Sequence, residues 1–306
     1  MATPNQICVS SFNSTGFGLS SSNYKNTLLL FSDVLCVQEH FILDSNERKH
    51  SNTNKLRKSF PNFDMHIKPA VKNSTSISRG RGKGGLATIW KPSLTKYVTR
   101  VECDNFRLLC SKFAFPSGSI LLINAYFPCD PRRENFDDSE LLTLLSDITN
   151  LVNISECTNI LIAGDLNCHL ARNNQFTSII RDHFENLNMK FLWESDNDKV
   201  QPIDYTHLFS GFGSTIDHFV CTNSVLKNIV DAGVIHSPDN TSNHSAIFMK
   251  LETNGLDLKV EKYMQTTGSS WKKASENERI QFSEALQSKL NQLTIPSDLL
   301  ECNNIN

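Results

Sequence analysis

The residues best suited to chemistry stand where an apolar segment ends and a loop begins. Asp165 and Asn167 follow the apolar run Ile160 to Ala163 and Gly164. A buried strand that ends in this way presents a carboxylate and a carboxamide at one edge of a sheet, where they can bind a metal ion or a phosphate. The same two residues are also typical of a turn in which an Asp or Asn side chain satisfies the local backbone. This pair alone does not decide between the two interpretations.

Other segments repeat this form, an apolar run followed by a polar residue of a type found at metal-phosphate centres. These residues are Asn13, Glu39, Tyr126, Asp217 and His244. Three of them also have an ordinary alternative role. Glu39 would suit a solvent-facing strand end, Tyr126 a packed core aromatic and Asp217 a structural ion pair. The repetition predicts strand ends that converge on one site.

Strands and helices must bring these residues together. Apolar runs predict strands at Ile7 to Phe12, Val34 to Val37, Leu86 to Trp90, Tyr97 to Val101, Arg107 to Phe113, Ser119 to Tyr126, Ile160 to Ala163, Ser214 to Val220, Ile229 to Ile235 and after His244. Helical spacing or capping residues predict helices at about Ser20 to Phe31, Asp138 to Val152, Phe176 to Leu187 and Ser275 to Leu293. The first strand, helix and strand suggest a parallel crossover, with an antiparallel sheet as the alternative.

The predicted organisation is one large domain over residues 1–252, followed by a linker and an appended helix over 253–306. With 306 residues, of which 39% are hydrophobic, the chain can bury a sizeable core. No apolar run approaches the length of a membrane span, and no secretory signal is evident, so we expect no membrane partner. The nine cysteines form no Cys-x-x-Cys pair, which favours reduced thiols in an intracellular compartment. The histidines form no cluster typical of structural zinc.

Charge is segregated along the chain although the net charge is only -2. The segment from Arg48 to Arg100 contains thirteen Lys and Arg but a single acid, Asp64, so its charge is about +12. Such a block favours a surface for a polyanion, and a solvated face is the alternative. Within it lies a Gly-rich basic loop that we expect to contact a phosphate backbone, unless it is a plain solvated hairpin. Its candidate DNA-binding residues are Arg79, Arg81 and Lys83.

Six short motifs occur in the order of a known family. They are Ser-Phe-Asn13, Val-Gln-Glu39, Asn-Ala-Tyr126-Phe-Pro, Gly-Asp165-Leu-Asn167, Ser-Thr-Ile-Asp217-His and Ser-Asn-His244-Ser-Ala. Together they resemble the endonuclease/exonuclease/phosphatase (DNase I-like) family, whose members include apurinic endonucleases. The best match is the endonuclease domain of non-LTR (LINE-type) retrotransposons. The resemblance runs from about Ile7 to Leu251. Each motif alone is weakly specific, but six in the family's order are strongly specific.

The resemblance implies a fold and a cofactor. The fold is a four-layer α/β sandwich in which two packed mixed β-sheets are flanked by helices. The cofactor is Mg²⁺, with Mn²⁺ as a substitute. Glu39 would be the principal metal ligand with Asn13 nearby, and Asn243 would be a weak ligand. Most of the family has Asp at this last position, and the uncharged Asn243 is expected to lower metal affinity or rate.

The resemblance also implies the chemistry of the remaining residues. Asp165 would orient or deprotonate the attacking water, or help to protonate the leaving group. Asn167 and Tyr126 would hold the phosphate. His244 would contact the phosphate or assist the nucleophile, with Asp217 fixing its tautomer and raising its pKa.

The expected function is a Mg²⁺-dependent DNA endonuclease that nicks DNA to leave a 3′-hydroxyl. In a retrotransposon this hydroxyl would prime a reverse transcriptase domain of a longer polyprotein, and such a role would require access to the nucleus. One alternative is a stand-alone apurinic-site endonuclease or general phosphodiesterase of the same family. The non-enzyme alternative is a catalytically degenerate nucleic-acid-binding module.

Overall fold

The computed structural model describes residues 5–16, 22–43, 53–72, 82–131 and 137–256, with 275–277, 280, 283 and 284. The chain divides into two units, Met1–Val260 and Glu261–Asn306. In the second unit, helical backbone is present at 276, 277, 280, 283 and 284, within the helix predicted from Ser275. The predicted domain boundary at residue 252 stays a prediction. Among the described helices, none is long and apolar enough to span a bilayer.

The N-terminal half is mostly strands. Its elements are β1 (Gln6–Asn13), α1 (Ser22–Phe31), β2 (Val34–Gln38), α2 (Thr53–Ser59), β3 (Asp64–Lys68), β4 (Val71–Lys72), β5 (Gly82–Lys83), β6 (Leu86–Trp90), a 3₁₀ turn (Pro92–Tyr97), β7 (Val98–Val101), β8 (Leu108–Phe115) and β9 (Gly118–Tyr126). The strand predicted to start at Tyr97 begins one residue later, because the 3₁₀ turn ends there. Neither α2 nor β3 was predicted, because both lie in the basic segment, where apolar runs are short.

The C-terminal half supplies the longer helices. Its elements are α3 (Ser139–Ser155), β10 (Asn159–Asp165), α4 (Gln175–Asn186), β11 (Met189–Phe191), a 3₁₀ turn (Leu192–Glu194), β12 (His207–Phe209), β13 (Phe212–Ser214), β14 (Asp217–Thr222), α5 (Asn223–Leu226), β15 (Ile229–Ile235) and β16 (Ala246–Glu252). The single strand predicted over Ser214 to Val220 is wrong. It is two strands, because the chain leaves the small hairpin β12–β13 after Ser214 and enters a different sheet at Asp217.

Two six-stranded mixed sheets form the body of the first unit. Their strand orders are β15-β16-β1-β2-β6-β3 and β11-β14-β10-β9-β8-β7. β1 and β2 are parallel, which confirms the predicted crossover through α1. β9 and β10 are also parallel and are connected through α3, while β10 and β14 are antiparallel. Parallel neighbours joined by a helix place successive strand ends at one edge of a sheet.

The side-chain period of two along the strands produces the four layers. In β10, Leu161 and Ala163 belong to the apolar cluster between the two sheets, whereas Ile160 and Ile162 pack against α3 and α4. In β1, Ile7 and Val9 belong to the same inter-sheet cluster. Alternate residues therefore face different layers, so both faces of a central strand are apolar and its sequence is a continuous apolar run. The predicted four-layer α/β sandwich is confirmed.

Candidate active site

Three of the predicted site residues form a row across the second sheet. In the strand register, Asp165 at the end of β10 pairs with Tyr126 at the end of β9 and with Asp217 at the start of β14. Gly164, expected to terminate the strand, instead lies within it. A Cβ there would lie 1.9 Å from the Ala125 carbonyl oxygen, so only glycine lets β9 and β10 approach this closely.

The first sheet contributes Asn13 and Glu39 at the same edge. The fully buried Asn13 carboxamide donates to Glu39 Oε2 at 3.1 Å and to Asp165 Oδ2 at 2.9 Å. Its Oδ1 accepts from the Thr15 N–H at 3.0 Å. A single carboxamide therefore joins the carboxylates of the two sheets. Asn13 ends β1 and Glu39 follows β2, and these strands are parallel neighbours, so their ends meet here.

Tyr126 joins the two sheets a second time. Its hydroxyl donates to Glu39 Oε1 at 2.8 Å. Burial and the nearby charges of Glu39 and Asp165 raise the pKa of this phenol, so it remains protonated and able to donate. The Tyr126 ring also lies 5.3 Å from the Arg107 guanidinium, which donates to the Tyr126 carbonyl oxygen. The phenol is thus fixed at both its backbone and its hydroxyl.

His244 reaches the row from the loop that precedes β16. Its Nδ1 donates to Asp217 at 2.9 Å from Oδ2, and its Nε2 lies 4.0 Å from Asp165 Oδ2. The exposed fractions of Asp165, Asp217 and His244 are 2%, 1% and 6%. Because Nδ1 already donates to Asp217, Nε2 is the ring nitrogen that faces Asp165.

The electrostatics of this pair follow from burial and mutual charge. Burial raises the pKa of the Asp165 carboxyl to about 7; the Asp217 charge adds to the rise and His244 opposes it. Burial alone would lower the pKa of the His244 imidazole. The Asp217 carboxylate, with Asp165 and Glu39, outweighs burial and raises that pKa to about 9. Near neutral pH, His244 is therefore an imidazolium, and Asp165 exchanges a proton readily.

Two groupings could hold a metal ion. Asp165, Asp217 and His244 have ligand atoms within 4.8 Å of one another. These three residues are almost fully buried, and the imidazole is hydrogen-bonded to the Asp217 carboxylate. Such an arrangement is better suited to proton transfer than to the binding of Mg²⁺. Mg²⁺ prefers oxygen ligands and keeps several waters, which requires open space. Glu39 is only half-buried, and the donors to its carboxylate, Asn13 and Tyr126, are neutral. Glu39 with the oxygen atoms around it therefore fits Mg²⁺.

The other predicted site residues are placed differently. Asn167 has a left-handed backbone with φ of 49°, and its carboxamide donates to the Phe127 carbonyl oxygen at 3.0 Å, which leaves one N–H for a ligand. Asn243 is exposed, and its carbonyl oxygen accepts from the Leu208 N–H at 2.8 Å. Its side chain takes no part in the hydrogen bonds that join Asn13, Glu39 and Asp165.

The basic loop is described only in part. Arg79 and Arg81 lie outside the described residues. Lys83 is exposed in β5, which pairs with β4. The next residue, Gly84, lies against the Tyr126 ring, since a Cβ there would be 3.7 Å from Cδ1. Lys83 is therefore at the rim of the site.

Two hydroxyls to which no motif assigned a role, those of the half-buried Ser242 and the buried Thr206, position the site residues. Ser242 Oγ donates to the Asn13 carbonyl oxygen at 2.8 Å and accepts from the His244 N–H at 3.1 Å. Thr206 Oγ1 accepts from the N–H groups of Ile216 and Asp217, both at 3.0 Å. The available signal was the Ser in Ser-Asn-His244, whereas nothing local marks Thr206 as different from a turn residue.

A hairpin with exposed aromatic residues stands beside the site. His207 in β12 pairs with His244, and their rings are 4.6 Å apart. The turn uses Ser210 and Gly211, with φ of 49° and 82°, which gives the twist of a tight hairpin. Next to this turn, Phe209 and Phe212 are 63% and 78% exposed. Large exposed rings beside the row of Tyr126, Asp165 and Asp217 indicate a contact surface.

The four-layer sandwich brings carboxylates, an imidazole and a phenol together where its two sheets meet, an arrangement suited to hydrolysis of a phosphodiester. The Endonuclease/Exonuclease/phosphatase family model matches residues 19–244, so the chain belongs to this family. None of the curated proteins compared with the sequence matches it.

Solved structures share the fold at low sequence identity. The AP endonuclease LMAP from Leishmania major is 16% identical, with a TM-score of 0.60 over 81% of this chain and 88% of that one. The endonuclease domain of the telomere-specific non-LTR retrotransposon TRAS1 is 13% identical, with a TM-score of 0.58 over 81% and 99%. The catalytic domain of Xenopus laevis APE2 is 13% identical, with a TM-score of 0.58 over 83% and 95%. At these identities the likeness establishes the fold alone.

Proposed function

We propose that the chain is a Mg²⁺-dependent DNA endonuclease that cuts one strand and leaves a 3′-hydroxyl. The observation that most supports this proposal is the buried pair of Asp165 and His244 beside the half-buried Glu39. His244 Nε2 lies 4.0 Å from Asp165 Oδ2. This arrangement supplies a base, a cation and an open carboxylate at one edge of the sandwich. Phosphodiester hydrolysis requires all three functions: water activation, charge compensation and stabilisation of the leaving oxygen.

In this proposal, Asp165 accepts the proton of the attacking water. Its pKa of about 7 matches a base that works near neutral pH. His244, held as an imidazolium by Asp217, offers an Nε2–H to a phosphate oxygen and compensates its developing charge. Asn167 donates its remaining N–H to the phosphate. Tyr126 donates to Glu39, and its hydroxyl would be available to a phosphate oxygen if a cation neutralised that carboxylate.

Glu39 and Asn13 would hold the metal, with Mn²⁺ as a substitute for Mg²⁺. When bound, the ion neutralises phosphate charge and stabilises the leaving alkoxide. Asn13 Nδ2 donates to Glu39 and Asp165, and its Oδ1 accepts the Thr15 N–H but has a second lone pair that could take a cation. The exposed Asn243 is at most a weak ligand in this scheme.

DNA as the substrate is supported by the surface around the site. Lys83 lies at the rim and belongs to the basic segment from Arg48 to Arg100, which also contains Arg79 and Arg81. The exposed rings of Phe209 and Phe212 can stack on bases or enter a groove. A polyanion surface beside aromatic rings suits a nucleic acid better than a small phosphate ester.

Two biological settings follow, both supported by named structural neighbours. One is the endonuclease part of a non-LTR retrotransposon protein, where the 3′-hydroxyl primes a reverse transcriptase domain. The TRAS1 endonuclease domain supports this setting. The other is an apurinic-site endonuclease, as LMAP is named. The substrate separates them, since the first acts on intact duplex and the second on an abasic site.

Nicking of supercoiled plasmid by the purified chain tests the proposal. We expect conversion to open circle with Mg²⁺ or Mn²⁺, none with EDTA, and nicks that a DNA polymerase can extend. A second assay uses a linear duplex with one abasic site. The ratio of the cleavage rates on this duplex and on the intact plasmid distinguishes the two settings. Salt-sensitive DNA binding without cleavage of either substrate would instead identify a catalytically degenerate binding module.

A further inference from the structure

His40, the residue after Glu39, is a buried side chain to which the proposed reaction assigns no role. It is 2% exposed. Its Nδ1 accepts the N–H of Ile42 at 3.0 Å, and its Nε2 lies 3.1 Å from the Lys68 carbonyl oxygen and 3.3 Å from that of Leu86. Because Nδ1 accepts a hydrogen bond, the proton of the neutral ring is on Nε2, which donates to these carbonyls. The ring thereby ties the Glu39 segment to β3 and β6.

The backbone around Glu39 needs such a tie. Glu39 and Phe41 have φ of 53° and 57°, a left-handed conformation that persists only where the surroundings impose it. On one side, the Gly16 N–H donates to the Glu39 carbonyl oxygen at 2.8 Å. On the other, the N–H groups of His40 and Phe41 donate to Gly85 and Gly84 at 3.3 and 3.0 Å. The metal-binding carboxylate is therefore on a strained turn clamped from both sides.

The His40 ring packs against Gly85 and leaves no room for a side chain there. A Cβ at this position would lie 2.5 Å from Cε1 and 2.6 Å from Nδ1 of His40. Its neighbour Gly84 also has a positive φ, but a Cβ there meets its nearest atom, Tyr126 Cδ1, only at 3.7 Å. The face of the imidazole therefore packs directly on Gly85, and the two glycines differ in whether a side chain would displace His40.

We infer that His40 is a positioning residue for metal binding: by linking the Glu39 turn to β3 and β6, it holds the Glu39 carboxylate where Mg²⁺ binds. It contacts neither the metal nor the substrate. The inference rests on the proposed role of Glu39. The carboxylate itself is half-exposed and, among the residues that the structure describes, receives hydrogen bonds from two side chains, so its direction depends on the backbone that carries it. Substitution of a residue that orients a metal ligand without contacting the metal typically lowers metal affinity by about 10- to 100-fold.

Substitutions at His40 separate its two hydrogen-bonding ends. His40→Asn keeps an acceptor near the Ile42 N–H but cannot reach β3 and β6. His40→Gln keeps a donor near the Lys68 carbonyl oxygen but loses the local acceptor. We expect titration calorimetry with MnCl₂ and MgCl₂ to give roughly 10-fold weaker binding for His40→Asn, in the range typical of such residues. His40→Gln should stay within about 3-fold of wild type, since it preserves the link between strands.

The glycine pair provides a matched control that leaves His40 in place. Gly85→Ala should displace the ring and weaken metal binding about as much as His40→Asn. Gly84→Ala introduces similar backbone strain without touching the His40 ring, so it should lower the melting temperature but weaken metal binding less than Gly85→Ala does. His66→Gln, a change of the same type at a half-buried histidine in β3, should also leave metal affinity unchanged.

The outcomes distinguish this inference from the proposed function. Weaker metal binding in His40→Asn and Gly85→Ala, with near wild-type nicking at saturating Mg²⁺, supports positioning. Lower melting temperatures in these variants with wild-type metal affinity would make His40 purely structural and overturn the inference alone. If the wild type binds neither Mn²⁺ nor Mg²⁺, the metal role of Glu39 and the inference fail together. If the wild type binds metal but does not nick DNA, only the proposed function fails.

Discussion

The two ends of the site differ in how their carboxylates are surrounded. At one end, Asp217 and Asp165 are almost fully buried, and the group facing them is the ionisable His244. At the other end, Glu39 is half-buried, and the donors to it are the neutral side chains of Asn13 and Tyr126. Asn13 connects the two ends with one carboxamide.

This difference assigns different tasks to similar side chains. Buried charges must be paired or protonated, so the Asp217 end is the one suited to hold and transfer a proton in the proposed reaction. A half-exposed carboxylate with neutral donors keeps an uncompensated charge and access to water, so the Glu39 end suits a hydrated cation. Four experiments test this division, in order of expected effect.

Asp165→Asn should have the largest effect. It removes the base but keeps the shape, and nicking should fall about 10³-fold, within the range of acid-base contributions. Because burial raises the pKa of Asp165 to about 7, an ionised carboxylate is unfavourable there at pH 8. The variant should therefore melt at or above the wild-type temperature at pH 8. A large loss of stability would show that the fall in nicking is due to unfolding rather than to the missing base.

The pair Glu39→Gln and Asp217→Asn compares the two ends directly. Glu39→Gln should weaken Mg²⁺ binding about 10- to 100-fold, and high Mg²⁺ should partly restore nicking. Asp217→Asn should keep wild-type metal affinity but nick about 10²-fold more slowly at any Mg²⁺ concentration, because His244 loses its partner. Calorimetry with Mn²⁺ and nicking rates across Mg²⁺ concentrations measure both effects. Equal metal affinities in the two variants would contradict the division.

The metal-free protein should lose stability as pH rises, and His244→Gln isolates the cause. The folded pKa of His244, about 9, exceeds its unfolded value near 6.5, so its stabilising contribution is complete below pH 6.5 and is lost toward pH 9. Asp165, with a folded pKa of about 7, adds a decline between about pH 4 and 7. Between pH 6.5 and 8.5, urea unfolding in EDTA should give Asp165→Asn a larger decline than the double variant Asp165→Asn/His244→Gln, because Asp217 still raises the pKa of His244 when the coupled Asp165 charge is removed. Parallel declines would mean that His244 is not charged in the folded protein.

Asn243→Asp should have the smallest effect. Most of the family has Asp at this position, and the departure suggested reduced metal affinity or rate. Asn243 is exposed, so a carboxylate there would be screened by water. We expect less than about a 3-fold change in Mg²⁺ affinity and nicking rate, since an exposed charge contributes less than about 1 kcal/mol. A 10-fold gain would show that this position reaches the metal in the bound state.

Much of the framework could be predicted from local patterns. The strand predicted at Leu86 to Trp90 and the helix predicted at Phe176 to Leu187 match the observed Leu86–Trp90 and Gln175–Asn186 closely. Both have a strong apolar period that packing reinforces. The misses are short or exposed elements, such as β3 in the basic segment and the hairpin β12–β13. Their strand pairing depends on distant partners rather than on their own residues.

The sequence by itself determined which residues could form the site, because six motifs in the family's order place carboxylates, an imidazole and a phenol after apolar strands. Only the tertiary structure decided how they divide the work. The register that aligns Tyr126, Asp165 and Asp217, and the parallel pairing that sets Asn13 beside Glu39, arise from contacts between strands far apart in the chain. Burial follows from the same packing. It makes Asp165 the carboxylate suited to proton transfer and leaves Glu39 as the carboxylate suited to bind a cation.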